Sequence, residues 1–181
     1  MHWSSFQTMN DKLKQYLGTE FKEPLAIVDL GSQRIGNQPL SYRGLVPEAW
    51  KYIGVDLAIG NNVDIIMPSE FSIPFETSSI NILISGQCLE HCRNPFLLVA
   101  EATRVLKPRG WMFITAPAVW PEHKVPIDCF RFYPDGMRAV MEQSGLEVVE
   151  TFVGGSTHVG GENPTAYDCW GIGRKKDWPR T

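Results

Sequence analysis

Segment 25–33 constrains the fold of this chain more than any other part of the sequence. Residues 25–28 are all apolar and Asp29 follows them, a pattern typical of a strand buried on both faces. Gly31 comes directly afterwards, where the missing side chain lets the backbone approach a ligand. Ligands of open parallel sheets bind beyond the carboxyl ends of the strands. The segment therefore predicts a parallel α/β sheet with a binding site after its first strand.

A second strand is predicted over residues 50–56, and it also ends in an acid, Asp56. Its separation from Asp29 is long enough for one crossover between parallel strands. An acid at the tip of the second strand is placed to accept hydrogen bonds from the hydroxyl groups of a ribose. The pair of strands therefore predicts a site for a cofactor that contains a nucleoside.

The glycine pattern after the first strand distinguishes between two cofactor classes. Dinucleotide enzymes use G-x-G-x-x-G, so that a helix N-terminus can cradle the pyrophosphate. Here the run from Gly31 to Gly36 lacks the second of the two close glycines. A pyrophosphate fits such a turn poorly, which argues against a nicotinamide oxidoreductase. S-adenosylmethionine has no phosphate and tolerates a looser turn.

The remaining pattern of apolar residues predicts an α/β fold with a doubly wound, mostly parallel seven-stranded sheet. The last strand can pair antiparallel. A leading helix over residues 4–17 either covers the site or only packs on the sheet. Helices are also predicted to start at Pro95 and Pro134. Further strands are predicted over residues 63–66, 80–84, 111–115, 146–152 and 166–174.

Four motifs, at residues 29–31, 52–56, 89–91 and 104–110, resemble those of class I S-adenosylmethionine-dependent methyltransferases. The similarity runs from about residue 25 to residue 175, and its nearest form is found among glycan and natural-product biosynthesis genes. The resemblance implies a Rossmann-like methyltransferase domain over residues 1–181, with a leading helix in 1–20 and a long loop, 117–133, over the active site. It also implies that the cofactor is S-adenosylmethionine, bound by Asp29, Gly31, Ser32, Gln33, Asp56, Leu57, Ser85, Gly86 and Gln87.

Candidate catalytic residues follow the fourth and fifth predicted strands. Methyl transfer to a hydroxyl requires alignment with the sulfonium methyl and removal of a proton. Histidine, with an ordinary pKa of about 6.5, suits that task. We expect His91 or His123 to be the base and Asp128 to orient a histidine or the substrate. Segment 123–138 resembles one that covers the methyl-transfer site in relatives.

Two residues of that segment, Arg131 and Tyr133, are expected to bind the substrate, because polar groups among aromatic rings suit a small polar molecule. Two alternatives stay open. His91 is otherwise a capping or core histidine, and Asp128 with Arg131 is otherwise an ion pair that only shapes the loop.

A metal site is not expected from the sequence. Glu90 and His91 resemble a feature of ubiquinone-pathway O-methyltransferases, in which Glu-x-x-Glu-His holds magnesium. Gln87 replaces the first glutamate here, and a hard cation prefers carboxylate oxygens.

Charge and cysteine content narrow the function further. The formal net charge is −3 and the main basic cluster is 174–176, which argues against a nucleic-acid substrate. The four cysteines form no C-x-x-C motif and no apolar run approaches a membrane span, so a cytoplasmic protein without a membrane partner is expected. The sequence leaves a homodimer open.

The sequence as a whole predicts a methyltransferase acting on a small molecule, by O-methylation of a sugar or natural-product scaffold. The alternative is a non-catalytic S-adenosylmethionine-binding module that regulates a partner enzyme.

Overall fold

A computed structural model describes residues 2–18, 25–36, 39–158 and 165–177. The described residues form seven strands: β1 (Ala26–Leu30), β2 (Lys51–Asp56), β3 (Ile65–Ile66), β4 (Ile80–Gly86), β5 (Leu106–Val119), β6 (Leu146–His158) and β7 (Thr165–Lys175). They also form three α-helices, α1 (Trp3–Leu17), α2 (Pro95–Val105) and α3 (Pro134–Gln143), and two 3₁₀ turns, Tyr42–Leu45 and Leu89–His91.

The strands make one sheet in the order β3-β2-β1-β4-β5-β7-β6. Strands β1 to β5 pair in parallel, whereas β7 runs antiparallel to both β5 and β6. This arrangement confirms the predicted fold class. Because β1, β2, β4 and β5 are parallel, their carboxyl ends lie along the same edge of the sheet, where ligands of such sheets bind.

The core is split between the two faces of the sheet, as the apolar strands predict. Ile82 and Ile84 belong to a cluster with Met9 of α1, while Leu83 between them packs in the cluster that contains α2 and α3. This alternation follows from the period of two in a strand. Helix α2 begins where the sequence predicts, because the side chain of Asn94 accepts a hydrogen bond from the backbone N–H of Leu97 at 3.2 Å.

Strand β5 is longer than predicted at both ends, and its extension past Thr115 shortens the loop over the site. Its parallel partner β4 ends at the pair Gly86↔Thr115, but antiparallel pairing with β7 continues to Val119↔Tyr167. The predicted loop 117–133 therefore begins with three strand residues. Pro117 fits there because the pairing register shifts beside it, as at a bulge.

Strand β6 also extends beyond the predicted strand 146–152, to His158, and residues 159–164 lie outside the described residues.

The connection between β1 and β2 contains only the short 3₁₀ turn Tyr42–Leu45 among residues 25–36 and 39–50. The sequence predicts this, because Gly44 and Pro47 interrupt any longer helix. In those ranges, then, no α-helix N-terminus follows Gly31 to cradle a pyrophosphate, which supports the argument against a dinucleotide. No helix in the described parts of the chain is long and apolar enough to cross a membrane.

Candidate active site

A cleft of about 440 Å³ opens at the carboxyl edge of the sheet. Residues that follow β1, β2 and β4 line it, and the segment after β5 closes one side. We call the part around Asp56 and Gly31 the cofactor end, and the part around His91 and His123 the histidine end. The volume lies within the usual range for ligand sites, about 300–1,000 Å³. The cleft is therefore large enough for a small organic ligand and lies where the topology predicts a site.

Asp56 occupies the tip of β2 and ties the first turn to the second strand. Its Oδ2 accepts a hydrogen bond from the backbone N–H of Gln33 at 2.9 Å, and its Oδ1 accepts one from Leu57 at 2.7 Å. The Gly31 backbone N–H donates to the carbonyl of Val55 at 2.9 Å. Each carboxylate oxygen keeps a further lone pair. Asp56 is thus held in place by backbone groups and still has acceptor capacity toward the cleft.

The two glycines of the site, Gly31 and Gly86, line the cleft but are needed for a reason that the sequence does not show. Gly31 has φ +76°, and a Cβ there would lie 2.6 Å from the Cβ of Cys88. A Cβ on Gly86 would lie 2.5 Å from the ring of Tyr42. The expected role was to let the backbone approach a ligand. The close contacts are instead with side chains of the chain itself.

Asp29 is 3% exposed and accepts a hydrogen bond from the hydroxyl of Tyr52. Burial raises the pKa of its carboxyl to about 7, although the Tyr52 hydrogen bond opposes this and the charge of Asp56 adds to it. Asn62 donates to the same tyrosine oxygen at 2.9 Å. Asp29 therefore lines the cleft as part of a buried hydrogen-bond network.

The other predicted cofactor residues divide into those that line the cleft and one that does not. Ser32, Gln33, Leu57 and Gln87 all contribute to the lining. Ser85 does not: its side chain is buried and its hydroxyl donates to the carbonyl of Leu30 at 2.8 Å. A side-chain contact of Ser85 with the cofactor is therefore not supported, and its expected contact through the backbone stays a prediction.

The structure brings His91 and His123 together, as the neighbouring strands predict. Their ring centroids are 5.0 Å apart and the rings are nearly perpendicular. Nδ1 of His91 lies 2.5 Å from the carbonyl oxygen of Ile127, and Nδ1 of His123 lies 3.1 Å from that of Pro121. A carbonyl can only accept, so both Nδ1 atoms carry a proton, and each neutral ring then keeps its lone pair on Nε2. Burial, partly opposed by the Ile127 contact, lowers the pKa of His91.

Glu90 lies behind the histidines, and its sequence pattern suggests a role only through the resemblance to a magnesium site. Its side chain is 0% exposed, and neither carboxylate oxygen accepts a hydrogen bond from a described residue. Burial raises the pKa of its carboxyl to about 8, and the charge of Asp168 adds to the effect. Oε1 lies 3.7 Å from Nε2 of His91 and 3.9 Å from Nε2 of His123. The histidine end therefore contains a buried carboxyl between two imidazoles.

Asp128 is fixed by Arg131 and lies outside the cleft lining. The guanidinium donates to both carboxylate oxygens, at 2.6 and 2.7 Å. These hydrogen bonds lower the pKa of Asp128. Asp128 Oδ2 also accepts from the backbone N–H of His123 at 2.7 Å and lies 3.5 Å from its Nδ1. The arrangement matches the alternative of an ion pair that shapes the loop, which in turn positions His123.

The predicted substrate contacts of Arg131 and Tyr133 are not supported by their positions. Arg131 also donates to the backbone carbonyls of Trp120, Phe130 and Pro121, so its N–H groups are directed at the loop. Tyr133 is 64% exposed and stands before α3, away from the cleft lining. The residue types of Arg131 and Tyr133 suit a binding site, but residue type does not distinguish a loop-stabilising side chain from one that faces a ligand.

His2 and Asp168 belong to the surroundings of the cleft and were not predicted. His2 lines the cleft before α1 and stacks on Trp120 with ring centroids 5.3 Å apart. Its Nε2 lies 3.1 Å from Oδ2 of Asp168, which is fully buried in β7 and accepts from Gln87 Nε2 at 2.9 Å. The sequence feature that could have identified Asp168 is the presence of an acid among apolar residues of the predicted strand 166–174. Helix α1 therefore packs on the sheet, and the residue that caps its N-terminus contributes to the site.

Comparisons with known proteins support a methyltransferase fold. A family model described as a methyltransferase domain matches residues 44–114, which include Asp56 and His91. A comparison with curated proteins found no significant sequence relative. The fold of the seven-stranded sheet is also that of solved structures described as methyltransferases.

Solved structures share this fold at low sequence identity. A putative methyltransferase from Bacillus halodurans has a TM-score of 0.68 at 14% identity over 94% of this chain and 100% of that one. A Burkholderia thailandensis 1,6-didemethyltoxoflavin-N1-methyltransferase, solved with its substrate and S-adenosylhomocysteine, has a TM-score of 0.68 at 13% identity over 96% and 79%. A chain from the complex between the Haloferax volcanii Trm112 methyltransferase activator and a putative methyltransferase has a TM-score of 0.65 at 16% identity over 98% and 96%.

Proposed function

We propose that this chain is an S-adenosylmethionine-dependent methyltransferase that methylates an oxygen of a small molecule, such as a sugar or a natural-product scaffold. The fold and the family match support S-adenosylmethionine as the cofactor. One observation carries the proposal: a single cleft at the carboxyl edge joins the acid at the tip of β2 to two histidines with free Nε2 lone pairs.

The cofactor end suits a nucleoside without a phosphate. Asp56 offers remaining lone pairs to ribose hydroxyls, and the residues described between Gly31 and β2 include no α-helix N-terminus for a pyrophosphate. Apolar side chains such as Leu57 and Met67 line the same region and suit a nucleoside base. We therefore propose that the cofactor lies along the tips of β1 and β2.

The histidine end suits an acceptor that must lose a proton. Methyl transfer proceeds by in-line displacement at the sulfonium, and proximity accounts for about 7–11 kcal/mol of barrier reduction in well-oriented reactions. The hydroxyl proton passes to Nε2 of His91 or His123, whose Nδ1–H is already fixed by a backbone carbonyl. Asp128 acts through the position of His123 and does not contact the reacting atoms in this proposal.

The substrate and location complete the proposal. A cleft of about 440 Å³ that is mainly apolar with a few polar groups suits a small molecule, and a net charge of −3 disfavours nucleic acid. The cysteines of the chain are free, as expected of a protein in a reducing cytoplasm. No membrane partner is part of the proposal.

Two measurements test the cofactor and the reaction. Isothermal titration should show 1:1 binding of S-adenosylmethionine and no binding of a nicotinamide dinucleotide at the same concentration. Incubation with methyl-labelled S-adenosylmethionine and fractionated small-molecule extracts should then yield S-adenosylhomocysteine and a labelled product. A carbon-13 methyl shift typical of a methyl ether supports oxygen as the acceptor, and a shift typical of an N-methyl group contradicts it.

A second candidate function is a non-catalytic module that binds S-adenosylmethionine and regulates a partner enzyme. The short edge strand β3 favours it, because Ile66 is 51% exposed beside an unpaired strand edge. The relative from Haloferax volcanii, found in a complex with a methyltransferase activator, shows that a chain of this fold can assemble with a partner. Tight cofactor binding without demethylated product in any extract fraction, together with co-purification of a partner, supports this candidate over the enzyme.

A further inference from the structure

We propose that Glu90, His91 and His123 together bind one divalent transition-metal cation, for which Zn²⁺ is the reference ion. The three side chains form a group whose ligand atoms all lie within 4.8 Å of one another. The proposed cation binds at the wall of the cleft, so that positions not occupied by protein face the acceptor. The binding site stands independently of the reaction, whereas any role toward an acceptor rests on the proposed function. Because the cation occupies the Nε2 lone pairs, that role is an alternative to the histidine base.

The distances between the ligand atoms fit a metal with small adjustments. Glu90 Oε1 is 3.7 Å from His91 Nε2 and 3.9 Å from His123 Nε2. Zinc bonds to imidazole nitrogen and carboxylate oxygen are about 2.0–2.2 Å, so two ligands of one ion lie at most roughly 4.2 Å apart. Both measured separations meet this limit. They are too long for a direct hydrogen bond, so Glu90 does not pair directly with either imidazole. The two imidazole nitrogens lie within 4.8 Å of each other, so a small movement of the side chains brings all three ligands to one ion.

The orientation of both imidazoles is the one that metal ligands adopt. A ligating histidine usually donates its other ring N–H to a carbonyl or carboxylate, which fixes the ring and directs the free nitrogen at the metal. His91 does so to the carbonyl of Ile127 and His123 to that of Pro121, with Asp128 3.5 Å from the same nitrogen. Two independent backbone contacts therefore direct both Nε2 lone pairs toward Glu90.

The buried carboxyl supplies the second observation. Glu90 is 0% exposed and its oxygens accept no hydrogen bond from any described residue, although buried carboxylates in proteins are normally paired or bind metals. Its backbone is held by the amides of Cys129 and Phe130, at 2.6 and 3.3 Å from its carbonyl oxygen. The burial is thus built into the packing of the loop, and a cation between the three side chains compensates the charge.

The donor set selects the class of metal. Two imidazoles and one carboxylate favour zinc, iron, nickel or copper over magnesium, which prefers oxygen ligands and water. The amide nitrogen of Gln87 donates to Asp168 at 2.9 Å, and Gln87 is not one of the three proposed ligands. Two histidines and one carboxylate leave open coordination positions. His91 and His123 line the cleft, so these positions are accessible to water or to a ligand oxygen.

The test uses the full chain, stripped with a chelator and titrated with Zn²⁺ by calorimetry and with Co²⁺ by visible absorption. We expect one site per chain and a cobalt spectrum without a thiolate charge-transfer band. Glu90→Gln and His123→Asn should each weaken Zn²⁺ binding by at least about 100-fold, since loss of only an outer partner costs about 10–100-fold. Glu122→Gln, an exposed glutamate one residue before His123, is the matched control and should bind like the wild type.

Three outcomes overturn the proposal. These are no Zn²⁺ binding at millimolar concentration, binding that survives both ligand substitutions, and Mg²⁺ binding tighter than Zn²⁺. If Glu90→Gln does not fold, as judged by circular dichroism, His123→Asn on the loop decides the test. S-adenosylmethionine binding is measured on the same samples. A wild-type chain that binds S-adenosylmethionine but not Zn²⁺ contradicts only the metal site, and one that binds Zn²⁺ but not S-adenosylmethionine contradicts only the proposed function.

Discussion

The two ends of the cleft differ in whether their acidic side chains accept hydrogen bonds from the chain itself. At the cofactor end, Asp56 accepts two backbone hydrogen bonds and Asp29 accepts one from Tyr52. Groups of the chain itself thus supply hydrogen bonds to both carboxylates. At the histidine end, Glu90 has no hydrogen-bond partner among the described residues, and two histidines present free lone pairs to it. The first end is preformed for a ligand that adds to an existing network. The second end holds groups whose chemistry is completed only by a ligand, a proton or a cation.

The largest expected effect comes from His91 at the histidine end. His91→Asn should lower turnover by about 10²–10⁴-fold, whether Nε2 takes the acceptor proton or holds a cation. Cofactor affinity should change little, because the contacts around Asp56 are untouched. Single-turnover rates and calorimetry separate the two quantities. Equal losses in turnover and in S-adenosylmethionine affinity would mean that the two ends act as one site, which contradicts the comparison.

The next effect is a pH dependence of stability from Asp29. The pKa of this carboxyl is raised from 3.8 to about 7 in the folded chain, so the folded state binds the proton more tightly than the unfolded state. Its contribution is complete below the unfolded pKa and is lost as the pH rises through about 7. At about 1.36 kcal/mol per pKa unit, the loss is at most roughly 4 kcal/mol.

Urea denaturation of wild type and Asp29→Asn, measured between pH 4 and 8, checks this sign. The difference in unfolding free energy should shrink as the pH rises through that window. A difference that is flat with pH would show that the hydrogen bond from Tyr52 already offsets the burial.

Asp29 and Asp56 at the cofactor end, compared with Glu90 at the histidine end, illustrate what the sequence can and cannot predict. Apolar runs ending in Asp29 and Asp56 suffice for the fold class and for the position of the cleft, because both depend on pattern and chain length. The burial of Glu90 depends on where loop 120–133 folds back, and no local pattern encodes that. The directions of Tyr133 and Arg131 are not predictable for the same reason: their residue types suit a site, while long-range packing decides where the side chains lie.

Strand ends were missed for a related reason. Residues 116–119 look like a loop because they contain Pro117, yet pairing with β7 keeps them extended. A partner strand some 50 residues later is not visible in a local window. The site nevertheless formed where the sequence predicts, since the parallel strands alone place the carboxyl edge.

Asp56→Ala tests the cofactor end directly. It should weaken S-adenosylmethionine binding by about 1.5–3 kcal/mol, the range for a hydrogen bond to a charged group. Part of the loss comes from the freed amides of Gln33 and Leu57, so Asp56→Asn is the matched variant that keeps one carbonyl acceptor. Calorimetry on both gives the comparison. Wild-type affinity in a folded Asp56→Ala protein would remove Asp56 from the cofactor site.

Gly31 and Gly36 form a matched pair for the packing of the cofactor end. Both have positive φ, +76° and +62°, but a Cβ at Gly31 meets Cys88 at 2.6 Å, whereas a Cβ at Gly36 meets nothing within 4 Å. Alanine should therefore cost about 1–3 kcal/mol more at Gly31 than at Gly36, the usual cost of overpacking. Thermal or urea unfolding measures the difference. Equal losses at the two positions would show that backbone strain alone, and not the contact with Cys88, requires glycine.

The smallest effect is expected at Tyr133, so its substitution serves as the reference for the effects of the other variants. The residue is 64% exposed before α3, and its backbone carbonyl, not its ring, accepts the bond from Met137 at 2.9 Å. Tyr133→Phe removes only the hydroxyl, and exposed substitutions usually change stability by less than about 0.5 kcal/mol. We expect KM and kcat for the acceptor within about twofold of wild type. Expressed as a free energy, a twofold change is close to the same limit of about 0.5 kcal/mol. A larger rise in KM at unchanged stability would mean that loop 120–133 moves when the acceptor binds and brings this ring over the histidine end. In that case Tyr133 belongs to the acceptor site, and a substitution of Arg131 in the same loop should raise KM as well.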